Sequence, residues 1–157
     1  MQLNSLLKAL EHDARDTVPA AQWLPRRAAI DAQLDVSDAP AAWHALVQWQ
    51  QHDDPLLAKA AGNLAKGCPL TAHLIWAQLV RARHLSLAQV FQMEYSLSLN
   101  CCRHPEFSEG VRARLIDKDN QPHWHWPDVD HVPQAVVEAH FGKAWEGRHP
   151  LADLCDY

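Results

Sequence analysis

The sequence has 157 residues, the size of one domain with a single hydrophobic core. Its formal net charge of −5, with both signs interspersed, excludes the basic surface that is typical of a nucleic-acid-binding protein. No apolar run approaches the roughly 20 residues of a membrane-spanning helix, and the four cysteines show no disulfide framework. We therefore expect a cytoplasmic protein that binds neither nucleic acid nor a membrane.

The N-terminal part of the chain shows helical periodicity that prolines interrupt. Leu3–Asp13 carries leucines at positions 3, 6, 7 and 10, which fall on one apolar stripe of a helix. A looser stretch follows, in which Arg26–Leu34 is the only candidate for a short helix. This irregular segment, 1–37, ends where Ser37 or Asp38 can cap the next helix.

Prolines mark the beginnings of three helices in the middle of the chain. Pro40 lies in the first turn of one helix, Pro55–Lys66 forms the second, and the third runs from Pro69 to about Arg81. Proline is tolerated in a first turn because the N–H that it lacks would have no partner within the helix.

The C-terminal half contains the most regular helix of the sequence, Leu87–Arg103. Glu106–Ile116 is a further amphipathic helix, the turn-rich segment Asp117–Asp130 follows, and a last helix runs from Pro133 to about Phe141. Alternation of the kind expected for strands is nearly missing. The sequence therefore predicts an all-α fold, a bundle-like array of about seven helices that forms one domain over 1–157.

Glu94 is a carboxylate near the centre of the apolar stripe of its helix. A buried carboxylate must be paired, hydrogen-bonded or protonated, and the nearest cations in the sequence are Arg112 and Arg114. One hypothesis makes Glu94 a general acid or base. The other, which we favour because no second catalytic group lies nearby, is a structural ion pair between Glu94 and Arg112 that locks two helices together.

The densest histidine cluster is His123-Trp124-His125-Trp126. In an extended segment His123 and His125 would share a side and could reach one metal ion. A zinc site needs three or four ligands, and no spaced cysteine pair or further histidine motif supplies the others, so we expect no metal site. Motifs for an activated nucleophile or a phosphate-binding loop are also missing, and we assign no catalytic residue.

The segment 68–124 carries a long, ordered succession of motifs. They are Cys68-Pro69-Leu70-Thr71, Leu85-Ser86-Leu87, Gln92-Met93-Glu94-Tyr95-Ser96-Leu97-Ser98, Arg103-His104-Pro105-Glu106-Phe107, Glu109-Gly110-Val111-Arg112-Ala113, Leu115-Ile116-Asp117-Lys118-Asp119, and Pro122 before Trp124. In this succession the chain resembles the C-terminal portion of the 3-hydroxyisobutyryl-CoA hydrolases, which are members of the crotonase superfamily.

The resemblance implies the C-terminal helical region of a crotonase-type enzyme, either an acyl-CoA thioester hydrolase of valine breakdown or a relative named enoyl-CoA hydratase/isomerase. In that superfamily two backbone N–H groups of a Gly-rich α/β core hold the thioester carbonyl, and such oxyanion holes dominate acyl-transfer catalysis. The core precedes the segment that this chain resembles. We therefore expect coenzyme A thioester to be the substrate of the full-length enzyme, and this segment alone to bind no cofactor and to be inactive.

The implied partner is a crotonase core, in the same polypeptide or in a separate chain, and a homo-oligomer is also compatible with the sequence. In related crotonases a Phe and a Lys after the Glu-Gly pair help to bind CoA. Arg114 stands at the position of that Phe, and Lys118 is offset by one from that Lys, so these two residues are the candidates for a CoA contact. The alternative function is a stand-alone helical protein-interaction module derived from the family.

Overall fold

In the computed structural model, which describes residues 2–156, every regular element is helical and no strand is present in this range. The α-helices are α1 (Gln2–Ala14), α2 (Arg27–Gln33), α3 (Ala39–Val47), α4 (Pro55–Ala65), α5 (Pro69–Ala82), α6 (Leu87–Arg103), α7 (Pro105–Val111) and α8 (Gln134–His140). Short 3₁₀ helices occupy Leu24–Arg26, Gln48–Gln51 and Val129–His131. The predicted all-α fold is confirmed, with one helix more than expected.

The chain divides into two compact units, residues 1–35 and residues 36–157. The boundary lies two residues before the end of the segment 1–37 that was predicted to be irregular. The prediction that both units form one domain stays a prediction. In the first unit, the leucines of α1 at positions 3, 6, 7 and 10 are all more than half exposed. None of the helices in the described part of the chain is long and apolar enough to cross a membrane.

The helices of the second unit begin where the sequence places capping residues. Asp38 accepts a hydrogen bond from the Ala41 N–H at the start of α3, and Asp54 accepts one from the Leu56 N–H at the start of α4. Ser86 forms a capping box with Gln89 at the start of α6. Each cap satisfies an N–H that would otherwise lack a partner in the first turn, which fixes where the helix begins.

The core of the second unit lies between α5, α6 and α8. Its buried members come from these helices and from the segment just before α8, and they are Leu70, Leu74, Leu97, Val132 and Val137. Helix α8 packs against both α5 and α6, and α3 packs on the other side against α4 and α5. Asn100 of α6 holds the C-terminal end of α8 in place, because its Nδ2 donates to the carbonyl oxygens of His140 and Gly142 at 2.9 Å each.

The predicted helix Glu106–Ile116 differs in type along its length. It begins as α7 and continues as a π-helix over Arg112–Ile116. The Asp117 N–H donates to the Arg112 carbonyl oxygen at 2.8 Å, a five-residue spacing that widens the last turn. Single π-turns in α-helices are frequent at functional sites. Of the two predicted CoA contacts, Arg114 lies within this π-helix and Lys118 lies two residues after it.

Candidate functional site

Arg112 is the centre of a polar cluster at the end of α7. Its guanidinium donates to both carboxylate oxygens of Glu109 at 2.8 and 2.9 Å. It also donates to Asp117 at 2.6 Å, to Asp119 at 2.7 Å and to the carbonyl oxygen of Gln121 at 3.0 Å. A planar guanidinium with five donors suits such a set of acceptors, so one side chain holds the whole turn after the π-helix.

The Glu109 carboxylate is strongly stabilised in its charged form. Hydrogen bonds from Arg112 and from the His123 backbone N–H, the latter at 2.6 Å, lower the pKa of Glu109 from 4.5 to about 2. Hydrogen bonds to Glu109, Asp119 and Asp117 raise the pKa of Arg112. Glu109 and Arg112 therefore stay charged at physiological pH.

Lys118 lies on the turn that this cluster holds. Lys118 and Asn120 both have φ values of 55°, in the left-handed region that non-glycine residues rarely adopt. Such a conformation persists where the surroundings enforce it, and here Asp117 and Asp119 are both bound to Arg112. The backbone carrying the exposed Lys118 side chain is thus fixed by Arg112.

An apolar groove of about 390 Å³ lies beside α7. Most of its walls are carbon side chains from α5, α7 and the π-helix, and they are Leu70, Leu74, Phe107, Val111 and Leu115. Trp124 closes one side of the groove. A Cβ atom added at Gly110 would lie 3.4 Å from an indole carbon of Trp124, and the indole N–H donates to the Lys66 carbonyl oxygen at 3.3 Å. A cavity of this size and lining is typical of sites for small molecules.

Glu106 is a buried carboxylate in the wall of the groove, and both of its oxygens accept hydrogen bonds. The His125 backbone N–H donates to Oε1 at 2.8 Å, and the Cys68 thiol donates to Oε2 at 3.7 Å. Burial raises the pKa of the Cys68 thiol and that of Cys101, which also lines the groove. Because the thiolate is the nucleophilic form, neither cysteine is activated for covalent catalysis.

Two histidines, His104 and His140, also line the groove, with ring centroids 5.0 Å apart. The His104 ring stacks on Trp126 with an interplanar angle of 20°. Burial, reinforced by the neighbouring His140, lowers the pKa of His104. From the sequence, His104 was named only as a member of the motif Arg103-His104-Pro105-Glu106-Phe107. Its position before Pro105 indicates a helix start but not a place in a groove, so no signal in the sequence identified it as a site residue.

The predicted ion pair between Glu94 and Arg112 is wrong. Gln78 Nε2 donates to Glu94 Oε1 at 2.7 Å, which links α6 to α5. Among the residues that the structure describes, the carboxylates paired with Arg112 are those of Glu109, Asp117 and Asp119. All three carboxylates lie within seven residues of Arg112 in the sequence. Bringing such near neighbours together costs less chain entropy than bringing together two residues on different helices.

The structure separates the two predicted CoA contacts. Arg114 is exposed and lines the groove, whereas Lys118 lies on the turn beyond it and does not line it. The His123 and His125 backbones are held by Glu109 and Glu106, and the His125 ring packs edge-on against Trp126. No group of three candidate metal ligands occurs in residues 2–156, so the structure brings no third ligand to these histidines.

The stability of the folded chain is expected to fall as the pH is lowered through the range in which Glu109 titrates. Because the pKa of Glu109 is about 2 when folded and 4.5 ordinarily, its stabilising effect is complete above about pH 5 and is lost towards about pH 2. We expect the Glu109→Gln variant to lose less stability than the wild type over this range in urea unfolding at several pH values.

The matched control for Glu109→Gln is Glu146→Gln, at an exposed carboxylate of the C-terminal segment. The unfolding free energy of this control variant should fall with decreasing pH as much as that of the wild type. Identical pH slopes for the Glu109→Gln variant and the wild type would contradict the assignment of the Glu109 contacts.

A family model described as enoyl-CoA hydratase/isomerase matches residues 1–141 of this chain. The chain is 41% identical over 83 residues to the mitochondrial 3-hydroxyisobutyryl-CoA hydrolase of Danio rerio, covering 53% of this chain and 22% of the relative. The Homo sapiens protein of that name is 40% identical over 76 residues, covering 48% of this chain and 20% of the relative. The chain thus spans about a fifth of the length of these curated relatives.

Two solved structures share the fold. A carnitinyl-CoA dehydratase from Mycobacterium thermoresistibile superposes with a TM-score of 0.68 at 25% identity, over 91% of this chain and 43% of its own. An enoyl-CoA hydratase from Rhodobacter sphaeroides 2.4.1 gives a TM-score of 0.69 at 23% identity, over 90% of this chain and 42% of its own.

The expected cytoplasmic location is contradicted, because the matched hydrolases are named as mitochondrial.

Proposed function

Since this chain belongs to the enoyl-CoA hydratase/isomerase family, we propose that it is the C-terminal helical domain of an acyl-CoA thioester hydrolase related to 3-hydroxyisobutyryl-CoA hydrolase. In this proposal the whole enzyme acts in valine breakdown, and the groups that activate water and hold the thioester carbonyl belong to a crotonase core outside this chain. The helices of this chain shape the acyl-CoA pocket or a subunit interface.

The observation that carries the proposal is an apolar face on α5 and α6 of the second unit whose side chains are about half exposed. Its members, Ile75, Leu79, Leu87 and Phe91, are 48% to 66% exposed. In each helix two of them are four residues apart, so they form a short stripe. We call this surface the α5–α6 face.

Helical geometry places both stripes away from the core that the two helices share. At about 100° per residue, Leu79 lies roughly 140° from the buried Leu74, and Phe91 lies roughly 120° from the buried Leu97. The hydrogen bond between Gln78 and Glu94 fixes the side on which the helices face each other. Each of the two helices linked by that hydrogen bond thus carries one of the exposed stripes.

The length of the matched proteins supports a crotonase core as the occupant of the α5–α6 face. The chain covers only 43% of the dehydratase chain whose fold it shares, so more than half of that protein is available to cover exposed apolar surface. A soluble protein rarely leaves a contiguous apolar patch of several hundred Å² uncovered. We propose that the core packs here, whether it belongs to the same polypeptide or to a separate chain.

Arg114 and Lys118 are the proposed contacts to coenzyme A. Both are cations, and the CoA moiety carries phosphates that cations bind. Arg114 stands at the groove, and the left-handed backbone at Lys118 is held in place by the Arg112 cluster. In this proposal the two cations meet phosphates of coenzyme A, and the groove itself is not assigned to the coenzyme.

Light scattering and hydrophobic-dye binding test whether the α5–α6 face is an uncovered interface. We expect the purified chain to self-associate and to bind the dye, because its apolar surface has no partner. The double variant Leu79→Glu/Phe91→Glu should shift the chain towards monomer and reduce dye fluorescence several-fold. Val80→Glu, at the next exposed residue of α5, is the matched control and should change neither property.

A monodisperse wild-type chain without dye binding would overturn the proposal. That result would favour a stand-alone helical interaction module, whose surface needs no core to cover it. If the double variant and Val80→Glu change self-association and dye binding equally, the α5–α6 face is not the surface responsible for them.

A further inference from the structure

The otherwise apolar groove beside α7 contains a pair of neighbouring histidines. His104 and His140 both line it, and their rings are close to each other without a hydrogen bond between them among the described contacts. His140 is only 4% exposed. Both rings line the groove, so the protonation of their nitrogens defines which hydrogen-bonding groups the groove can offer to a ligand.

The hydrogen bond at the start of α7 fixes the tautomer of His104. The Glu106 backbone N–H donates to His104 Nδ1 at 3.3 Å, so Nδ1 carries no proton. A neutral imidazole then has its proton on Nε2. The ring of His104 is held in place by stacking on Trp126, and the group that it can offer to a ligand is an N–H donor.

The opposite tautomer is fixed at His140. Its Nδ1 lies 2.8 Å from the carbonyl oxygen of Val136, and a carbonyl oxygen only accepts hydrogen bonds. The proton of a neutral His140 therefore sits on Nδ1, and Nε2 is left as an acceptor with no partner among the described residues. The two neighbouring rings thus offer one donor and one acceptor.

We propose that this groove is a binding site for a small neutral molecule that has an apolar body and an alcohol group. The apolar body would contact Leu70, Phe107 and Val111, which are among the side chains of the wall. The hydroxyl would accept a hydrogen bond from His104 Nε2 and donate one to His140 Nε2. An alcohol is the smallest group that does both at one atom.

The charged groups of the wall favour a neutral ligand. Both oxygens of Glu106 are already hydrogen-bonded, and the raised pKa values of Cys68 and Cys101 keep these thiols uncharged. Burial also lowers the pKa of His104, so its ring is neutral at physiological pH. Arg114 is the cation of the lining, and it lies on the exposed rim.

Three probes of equal size test the site on the full chain. Benzyl alcohol, anisole and ethylbenzene have the same number of heavy atoms, but only the alcohol both donates and accepts a hydrogen bond. Ligand-observed saturation-transfer NMR, which tolerates self-association, gives their dissociation constants. We expect benzyl alcohol to bind roughly three- to tenfold more tightly than anisole, which can accept from His104 but cannot donate to His140. Anisole should in turn bind more tightly than ethylbenzene by a similar ratio, because each step is one net hydrogen bond.

Two variants remove the two histidines separately. His104→Asn keeps a side chain that caps α7 but removes the Nε2 donor, and His140→Phe keeps a ring but removes the acceptor. His140→Phe should bring the preference for the alcohol over anisole to about one, and His104→Asn should bring the preference for anisole over ethylbenzene to about one. His52→Asn is the matched control, because His52 Nδ1 also accepts from a backbone N–H two residues on, that of Asp54, and His52 does not line the groove.

The expected pattern is the order benzyl alcohol, anisole, ethylbenzene in the wild type and in His52→Asn, with the first step lost in His140→Phe and the second step lost in His104→Asn. Equal binding of the three probes, no binding of any of them, or both steps surviving in both variants would overturn the proposal. The comparison of alcohol with ether uses the unmodified chain, so it decides the matter even where a variant fails to fold. None of these results depends on the presence of a crotonase core.

Discussion

A Phe91→Glu substitution on the α5–α6 face is expected to lower thioester hydrolysis by at least about tenfold in a chimera that has this chain in place of the matching segment of the Danio rerio hydrolase. In the proposed assembly Phe91 lies against the core, and Glu would bury an unpaired carboxylate there. Such burial costs well over the roughly 1.4 kcal/mol that corresponds to a factor of ten in rate. The measurement is kcat/KM for 3-hydroxyisobutyryl-CoA.

Val80→Glu in the same chimera separates the α5–α6 face from a general effect of added charge. Val80 is exposed on α5, and it follows Leu79 at about 100° around the helix. The chimera with Val80→Glu should retain the activity of the unmodified chimera. If Phe91→Glu has no effect on kcat/KM, the α5–α6 face does not meet the core.

Replacement of Leu70 by Ala should have the largest effect on the stability of the chain itself. Leu70 is 2% exposed and belongs to the core cluster of α5, α6 and α8. Truncation removes buried methyl groups and leaves a cavity, a change that costs about 2–5 kcal/mol of unfolding free energy in well-packed cores. Urea unfolding monitored by circular dichroism measures the change.

Leu79→Ala is the matched control for Leu70→Ala, with the same chemistry on the same helix. Leu79 is 59% exposed in the chain alone, so its truncation should change the unfolding free energy by no more than about 0.5 kcal/mol. Equal losses at the two positions would mean that Leu70 does not lie in the core that the structure shows.

The sequence predicted the helices well because their beginnings are locally encoded. Pro55, Pro69 and the capping box of Ser86 fix three of them within a few residues, and each signal acts through an N–H of the same first turn. The change from α7 to a π-helix was missed, since Arg112–Ile116 has the apolar spacing of an ordinary helix and the wider turn shows only in its hydrogen bonds.

The contacts of charged side chains were harder to predict than the helices. Glu94 has the position of a buried carboxylate, but its partner is the neutral Gln78 on α5, which no pattern within one helix indicates. The sequence paired Arg112 with Glu94, whereas the partners of Arg112 are the acidic residues of its own segment. Competition among several carboxylates is decided by tertiary geometry, which the sequence alone does not contain.

The groove could not be predicted because its lining comes from separate parts of the chain. Cys68, His104 and His140 are far apart in sequence, and they meet only because α7 and α8 pack against α6. Motif searches find sites whose residues share one segment. A site that several helices assemble becomes visible only after those helices are packed.

Release of free thiol from 3-hydroxyisobutyryl-CoA by the purified chain tests most directly whether the catalytic scaffold lies outside it. The proposal predicts that the chain alone releases no thiol above the buffer blank, whereas the chimera with the core of the Danio rerio hydrolase does. Hydrolysis by the chain alone, at a rate proportional to its concentration, would contradict this account.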